Sequence, residues 1–193
     1  MILKPGKDLK LFENPLLNRM TFVHPIMPGM FWLPIATYFF SQRPSLIHFL
    51  SGFFLWTFVE YILHRFVFHW EGKWAWSKRL HFLIHGNHHD DPNDQRRILM
   101  PILPAIILSL PFMLIFRVTL GTDLWMPFMS GFLVGYLAYD YMHFAVHYFD
   151  RPTGFVLRMK RMHMLHHFSK MEAGEKFGVS TPIWDYVFGT QGK

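Results

Sequence analysis

The chain has no cysteine among its 193 residues. Disulfides, thiolate zinc sites, iron–sulfur clusters and cysteine nucleophiles are therefore excluded, and nothing marks the redox compartment. Charge is scarce over long stretches: residues 26–63 carry only Arg43 and Glu60. Residues 1–20 lack an apolar core directly behind their basic residues, so no cleaved signal peptide is expected. No residue-level internal repeat is visible.

Apolar side chains make up 51% of the chain, with 22 phenylalanines, and they lie in long runs that suit lipid better than a soluble core. The length allows one domain or one compact membrane unit. Residues 26–63 are divided by Ser41-Gln42-Arg43-Pro44-Ser45 into a first span over about 27–41 and a second over about 46–63. Pro28 and Pro34 would kink the first or make it shallow. A third apolar run covers 98–117 and a fourth 124–147, separated by the turn signal Gly121-Thr122-Asp123. Residues 64–97 and 148–193 are polar and rich in histidine. The predicted fold is an all-α integral membrane protein: four transmembrane helices in two hairpins, capped by a histidine-rich helical domain, the whole forming one unit over 1–193. Residues 1–25 read either as a short surface helix or as a loose terminus.

Four spans put both termini and the central polar segment on one side. That side carries 17 of the 19 Lys and Arg residues; the hairpin turns carry only Arg43 and Arg117. The positive-inside rule makes it the cytoplasmic side. The net charge of +6 thus reads as membrane orientation rather than nucleic-acid binding.

Ten of the 13 histidines fall in four clusters: His64 and His69; His85, His88 and His89; His143 and His147; His163, His166 and His167. A lone histidine is ordinarily a core or surface residue. Four clusters, each at a membrane boundary on the same side, point to a polynuclear metal site, because imidazole is a neutral nitrogen donor that suits iron, zinc, copper and nickel. Ten ligands exceed the needs of one ion and suit two at about five each. In His85-Gly86-Asn87-His88-His89 the spacings of three and four let one helical turn point all three rings at one ion, or at the gap between two. His64 and His69 are about 140° apart on an ideal helix, so they serve different metals unless the helix departs from α geometry.

Several stretches resemble the fatty acid hydroxylase superfamily of membrane di-metal enzymes. They are His64-Arg-Phe-Val-Phe-His69, His85-Gly-Asn-His88-His89, Arg97-Ile-Leu-Met-Pro101, Asp140-Tyr-Met-His143-Phe-Ala-Val-His147, His163-Met-Leu-His166-His167, and Phe177-Gly-Val-Ser-Thr-Pro-Ile-Trp184-Asp185-Tyr186 onward to Thr190. Order and spacing agree from about residue 50 to 190, and the closing stretch is most similar to the fatty acid 2-hydroxylases. The resemblance implies that the ten clustered histidines bind two iron ions, replaceable by zinc in purified protein. It implies O2-dependent hydroxylation of a lipid acyl chain, at C2 of a fatty acid or sphingolipid N-acyl chain. No His-Pro-Gly-Gly haem signature is present, so electrons are expected from a separate donor of cytochrome b5 or ferredoxin type. The basic run Arg158, Lys160 and Arg161 is a docking candidate for it, or else a contact with anionic lipid. The implied location is the bacterial cytoplasmic membrane, or the endoplasmic reticulum, with the active site on the cytoplasmic side.

Asp140, three residues before His143, and Glu60, four before His64, are expected to accept from imidazole N–H groups. His81 is read as structural or as a support for the ligands. His24 and His48 fall outside the pattern. Asn87, Asp90 and Asp91 either orient ligands or are solvated. Trp70, Trp74, Trp76, Trp184 and Tyr186 suit the interfacial belt. The alternatives are a carotenoid or sterol hydroxylase or desaturase on the same scaffold, or a non-redox membrane protein that binds or transports metal; ligands at the membrane edge rather than its middle count against transport.

Overall fold

A computed structural model of the chain describes residues 4, 6–7, 9–168 and 175–192. Among them every regular element is helical: α1 (Pro15–Arg19), α2 (Ile26–Gln42), α3 (Leu46–Leu63), α4 (Ala75–His81), α5 (Asn87–Asp90), α6 (Ile102–Tyr148), α7 (Gly154–Phe168) and α8 (Ile183–Phe188). Two π-helical turns, His64–Phe68 and Phe82–Gly86, continue α3 and α4.

The continuous run of α6 breaks at Gly121, whose φ of 73° is the left-handed conformation that glycine adopts most readily. The chain folds back there. Phe112 and Phe132 stand 4.9 Å apart by ring centroid, and the Met100 amide donates to Asp140 Oδ1 at 3.1 Å. The predicted turn at 121–123 is thus the tip of a hairpin with limbs 102–120 and 122–148. The first limb starts four residues later than the apolar run suggested. Pro101 is extended and disfavours helix in the residue before it, so Ile98 and Leu99 leave the helix and pack with Val23 and Phe144.

The other hairpin is α2 and α3, closed by contact between Phe40 and Phe49. Arg43 meets Asp123 at 3.4 Å, so the two hairpin tips lie together at one end of the bundle. The pairing is solvent-exposed and adds little stability. The interior is aromatic: Trp32 from α2, Trp56 from α3, and Phe132 and Tyr136 from α6 pack edge to face. Gly131 allows the closest approach of α3 and α6, since a Cβ there would collide with the Phe49 carbonyl oxygen. Gly135 follows one turn later, which gives the small-xxx-small spacing of helices packed in lipid.

Two stretches are long and apolar enough to cross a membrane by themselves, Leu46–Phe68 and Ile102–Tyr148. The second holds two limbs because of the fold at Gly121. At 17 residues α2 is short, and Pro34 lies inside it.

The N-terminal segment is a strap over the residues that follow α5. Lys4 and Gln95 exchange hydrogen bonds, the Lys7 amide donates to Asp91, Arg79 donates to the Leu11 carbonyl, and Val23 N–H donates to the Arg96 carbonyl. Of the two readings of residues 1–25, the helical one holds for the five residues of α1.

Candidate metal centre

All ten clustered histidines converge at the end of the bundle opposite the hairpin tips, in two adjoining groups of five. The first comprises His64, His69, His85, His89 and His166; the second comprises His88, His143, His147, His163 and His167. In each group the five ligand atoms lie within 4.8 Å of one another. The groups meet where His89 and His167 approach to 4.3 Å between ring centroids.

Each HxxHH cluster is divided. His85 and His89, four apart, share a helix face and enter the first group. His88 is rotated by about 100° from His89 and crosses to the second. The cluster on α7 mirrors this: His163 and His167 enter the second group and His166 crosses to the first. Of the two arrangements open to three rings in one helical turn, the structure takes the gap between two groups.

His64 and His69 belong to the same group, contrary to the α-helical angle. The π-turn His64–Phe68 supplies the reason. Its wider coil brings residues five apart onto one face, and π-bulges are frequent at functional sites. The π-turn Phe82–Gly86 leads into α5, and Asn87 Nδ2 holds it by donating to the carbonyls of Phe82 and Leu83 at 2.8 and 3.1 Å. Asn87 therefore supports the ligand-bearing turn, whereas Asp91 accepts from the Lys7 amide of the strap.

The donor chemistry fits metal ions. The convergent Nε2 atoms stand 2.9–3.1 Å apart in seven pairs, among them His64–His85, His69–His166, His88–His143 and His147–His163. Two nitrogens at right angles, each about 2.1 Å from an ion, are separated by about 3.0 Å. His64 Nδ1 lies 2.6 Å from the Phe177 carbonyl, and His166 Nδ1 lies 2.8 Å from that of Glu175. A carbonyl only accepts, so both Nδ1 atoms carry the proton and both Nε2 lone pairs face inward. Burial, followed by the neighbouring imidazoles, holds His69 and His89 down to about 3 and puts His85, His88 and His163 well below the ordinary range. All five are neutral donors at physiological pH.

The two carboxylates singled out from sequence touch no imidazole. Glu60 accepts from the amides of Val179 and Ser180 at 2.7 and 2.8 Å and from the Ser180 hydroxyl. Asp140 accepts from Met100 N–H and, at 3.3 Å, from Tyr136 O–H. Neither geometry matches direct support of His64 or His143, because each carboxylate is taken up by backbone amides and a hydroxyl. Glu60 does act at one remove. It and Asp185, which accepts from the amides of Phe177 and Gly178 at 2.9 Å, pin the loop whose Phe177 carbonyl fixes His64. The closing sequence stretch carries this loop, but the roles of Asp185 and the Phe177 carbonyl were not visible in residue types. His81 lies outside both groups and borders the first, where its charged form would oppose charge on His69 and His89. His24 and His48 bond locally, to the Ile26 amide and to Ser45. Trp70, Trp74 and Trp76 form an exposed cluster, while Trp184 Nε1 donates to Thr57 Oγ1 on α3.

His69, His89, His147 and His167, two from each group, are half-buried, and the other six imidazoles are buried.

Comparison with known proteins agrees with this geometry. Residues 49–190 match the family model for fatty acid hydroxylases. Dihydroceramide fatty acyl 2-hydroxylase FAH1 of Arabidopsis thaliana is 35% identical over 167 residues, covering 82% of this chain and 70% of that protein. Ceramide very long chain fatty acid hydroxylase SCS7 of Saccharomyces cerevisiae is 35% identical over 190 residues, covering 93% of this chain and 47% of the yeast protein. The chain thus spans about half the length of that relative. A solved structure described as full-length scs7p, with only its hydroxylase domain visible, superposes with a TM-score of 0.85 at 34% identity, over 93% of this chain and 70% of that one.

Proposed function

The chain belongs to the fatty acid hydroxylase family, and from that premise we propose that it is a membrane oxygenase that hydroxylates C2 of a lipid acyl chain. The observation that carries the proposal is the pair of adjoining five-imidazole groups. The substrate is a fatty acid or a sphingolipid N-acyl chain. The balanced reaction takes the substrate, O2, two electrons and two protons to the 2-hydroxy product and water, with a C–H bond replaced by C–O–H. Two iron ions, held by His64, His69, His85, His89 and His166 on one side and by His88, His143, His147, His163 and His167 on the other, would supply the reduction of O2 and the transfer of one oxygen atom. Zinc suits the same donors.

The protein's part is to hold neutral donors in place and to limit access. The six buried imidazoles keep bulk solvent out on the bundle side, so the acyl chain and the electrons approach past His69, His89, His147 and His167. A cytochrome b5- or ferredoxin-type carrier delivers the electrons, and Arg158, Lys160 and Arg161 offer it a basic docking face. The lipid reaches the centre from the membrane. In this reading α2, α3 and both limbs of α6 cross the bilayer, with the histidine end cytoplasmic. Supporting it are the joined hairpin tips at Arg43 and Asp123, the sequence bias that leaves only Arg43 and Arg117 of the 19 basic residues in the hairpins, and outward apolar side chains such as Ile47 and Val118, 71% and 74% exposed.

Lipid analysis of cells with and without the chain tests the proposal. New 2-hydroxy acyl chains that vanish with His88→Ala are expected. Hydroxylated sterols or carotenoids instead, or metal uptake without oxidised lipid, would overturn it.

A further inference from the structure

Inside the bundle, directly beneath the metal centre, lies a cavity of about 30 Å³ bounded by α2, α3 and both limbs of α6. We infer that it is a station for dioxygen moving from the hydrocarbon of the membrane to the two ions; the inference rests on the oxygenase reading. Position argues first. The wall nearest the centre includes Phe68 and Tyr139. Phe68 lies 5.5 Å from the His85 ring, and Tyr139 stacks on His143 at 5.9 Å. At the outer wall, Leu63, Leu108 and Phe112 are only half-buried, which puts the seam between α3 and the 102–120 limb towards lipid. Dioxygen is apolar and dissolves better in hydrocarbon than in water.

Size argues next. The cavity opens about 30 Å³ to a water-sized molecule, which is room for a diatomic gas. The lining chemistry agrees. Ser109 donates to the Ile106 carbonyl, Tyr136 donates to Asp140, and Glu60 is turned to Val179 and Ser180. The indole Nε1 atoms of Trp32 and Trp56, both more than nine-tenths buried, have no acceptor among the described residues. The wall is otherwise apolar, so a water there would leave hydrogen bonds unmade, whereas dioxygen has none to make. Cavities of this kind take up xenon.

Crystals of the wild-type protein under xenon pressure should show xenon in this cavity. Ala105→Leu, which fills it from the 102–120 limb, should abolish that site. It should raise the KM for O2 at least about fivefold, with kcat at saturating O2 and the KM for the acyl substrate unchanged within about twofold. Ser109→Leu, on the next turn, gives the same readouts if Ala105→Leu does not assemble. No xenon in the wild-type cavity would overturn the inference. So would an unchanged KM for O2 in a variant that has lost the xenon site. A shift in acyl chain-length preference would assign the cavity to the substrate tail. A wild-type protein that binds xenon there yet forms no 2-hydroxy lipid would sink the oxygenase reading itself, and the oxygen assignment with it.

Discussion

The two histidine groups have the same number of ligands but different scaffolds. The second is mounted on long helices. His143 and His147 sit one turn apart at the end of α6, His163 and His167 one turn apart on α7, and only His88 comes from elsewhere. The first depends on departures from helix. A π-turn brings His64 and His69 together, a second π-turn precedes His85 and His89, and carbonyls at Phe177 and Glu175 set the rings of His64 and His166. Its geometry therefore rests on a loop that two carboxylates hold, whereas the second group rests on backbone hydrogen bonds within helices. A helix-borne site tolerates disturbance nearby; a loop-borne site transmits it.

The comparison can be broken from either side. Removing one ligand from each group has the largest effect. His64→Ala and His143→Ala should each lower 2-hydroxy product by more than about 100-fold. Elemental analysis should show metal falling from two ions towards one per chain in both; loss of both ions from either variant would mean that the groups are not separable. The next effect is unequal by construction. Glu60→Gln weakens the hold on Val179 and Ser180, so metal affinity should fall about 10–100-fold in the first group and stay unchanged in the second. Timed release to a chelator would then show two phases where the parent shows closely matched ones, and a uniform change would erase the asymmetry.

Acid should treat the groups alike. In the metal-free protein the folded imidazoles refuse protons that the unfolded chain accepts. Stability is therefore greatest above about pH 6.5 and falls as pH drops through 6.5 towards the depressed folded values, about 3 for His69 and His89 in the first group and well below the ordinary range for His88 and His163 in the second. Melting temperature should fall from pH 7 to pH 5; a rise would contradict buried, neutral imidazoles. The smallest effect belongs to Asp140→Asn. Its amide oxygen can still accept from Met100 N–H, and no imidazole is touched, so activity and metal content should stay within about twofold. A large loss of metal from the second group alone would restore a direct link to His143.

Much of this was legible in the sequence because it depends on spacing. The four apolar runs, the turn at Gly121 and the ten histidines follow from period, composition and residue type. The division of each HxxHH cluster was half legible: His85 and His89 must share a face, but the partner that His88 meets is set by how α5 and α7 oppose each other. The shared placement of His64 and His69 was hidden, since α geometry separates them and only the π-turn reunites them. Glu60 and Asp140 stand out in sequence as acceptors for neighbouring imidazoles, but their partners are backbone amides brought from 119 and 40 residues away. Proximity along the helix pointed to the nearest histidine, and tertiary structure supplied a different donor.

Anomalous diffraction from crystals of the metal-loaded protein will show whether two ions sit side by side, each ringed by five imidazoles, with His88 and His166 exchanged between the clusters. Two peaks are expected, one surrounded by His64, His69, His85, His89 and His166 and the other by His88, His143, His147, His163 and His167. A single peak, or one ringed by His85, His88 and His89 together, would contradict that arrangement.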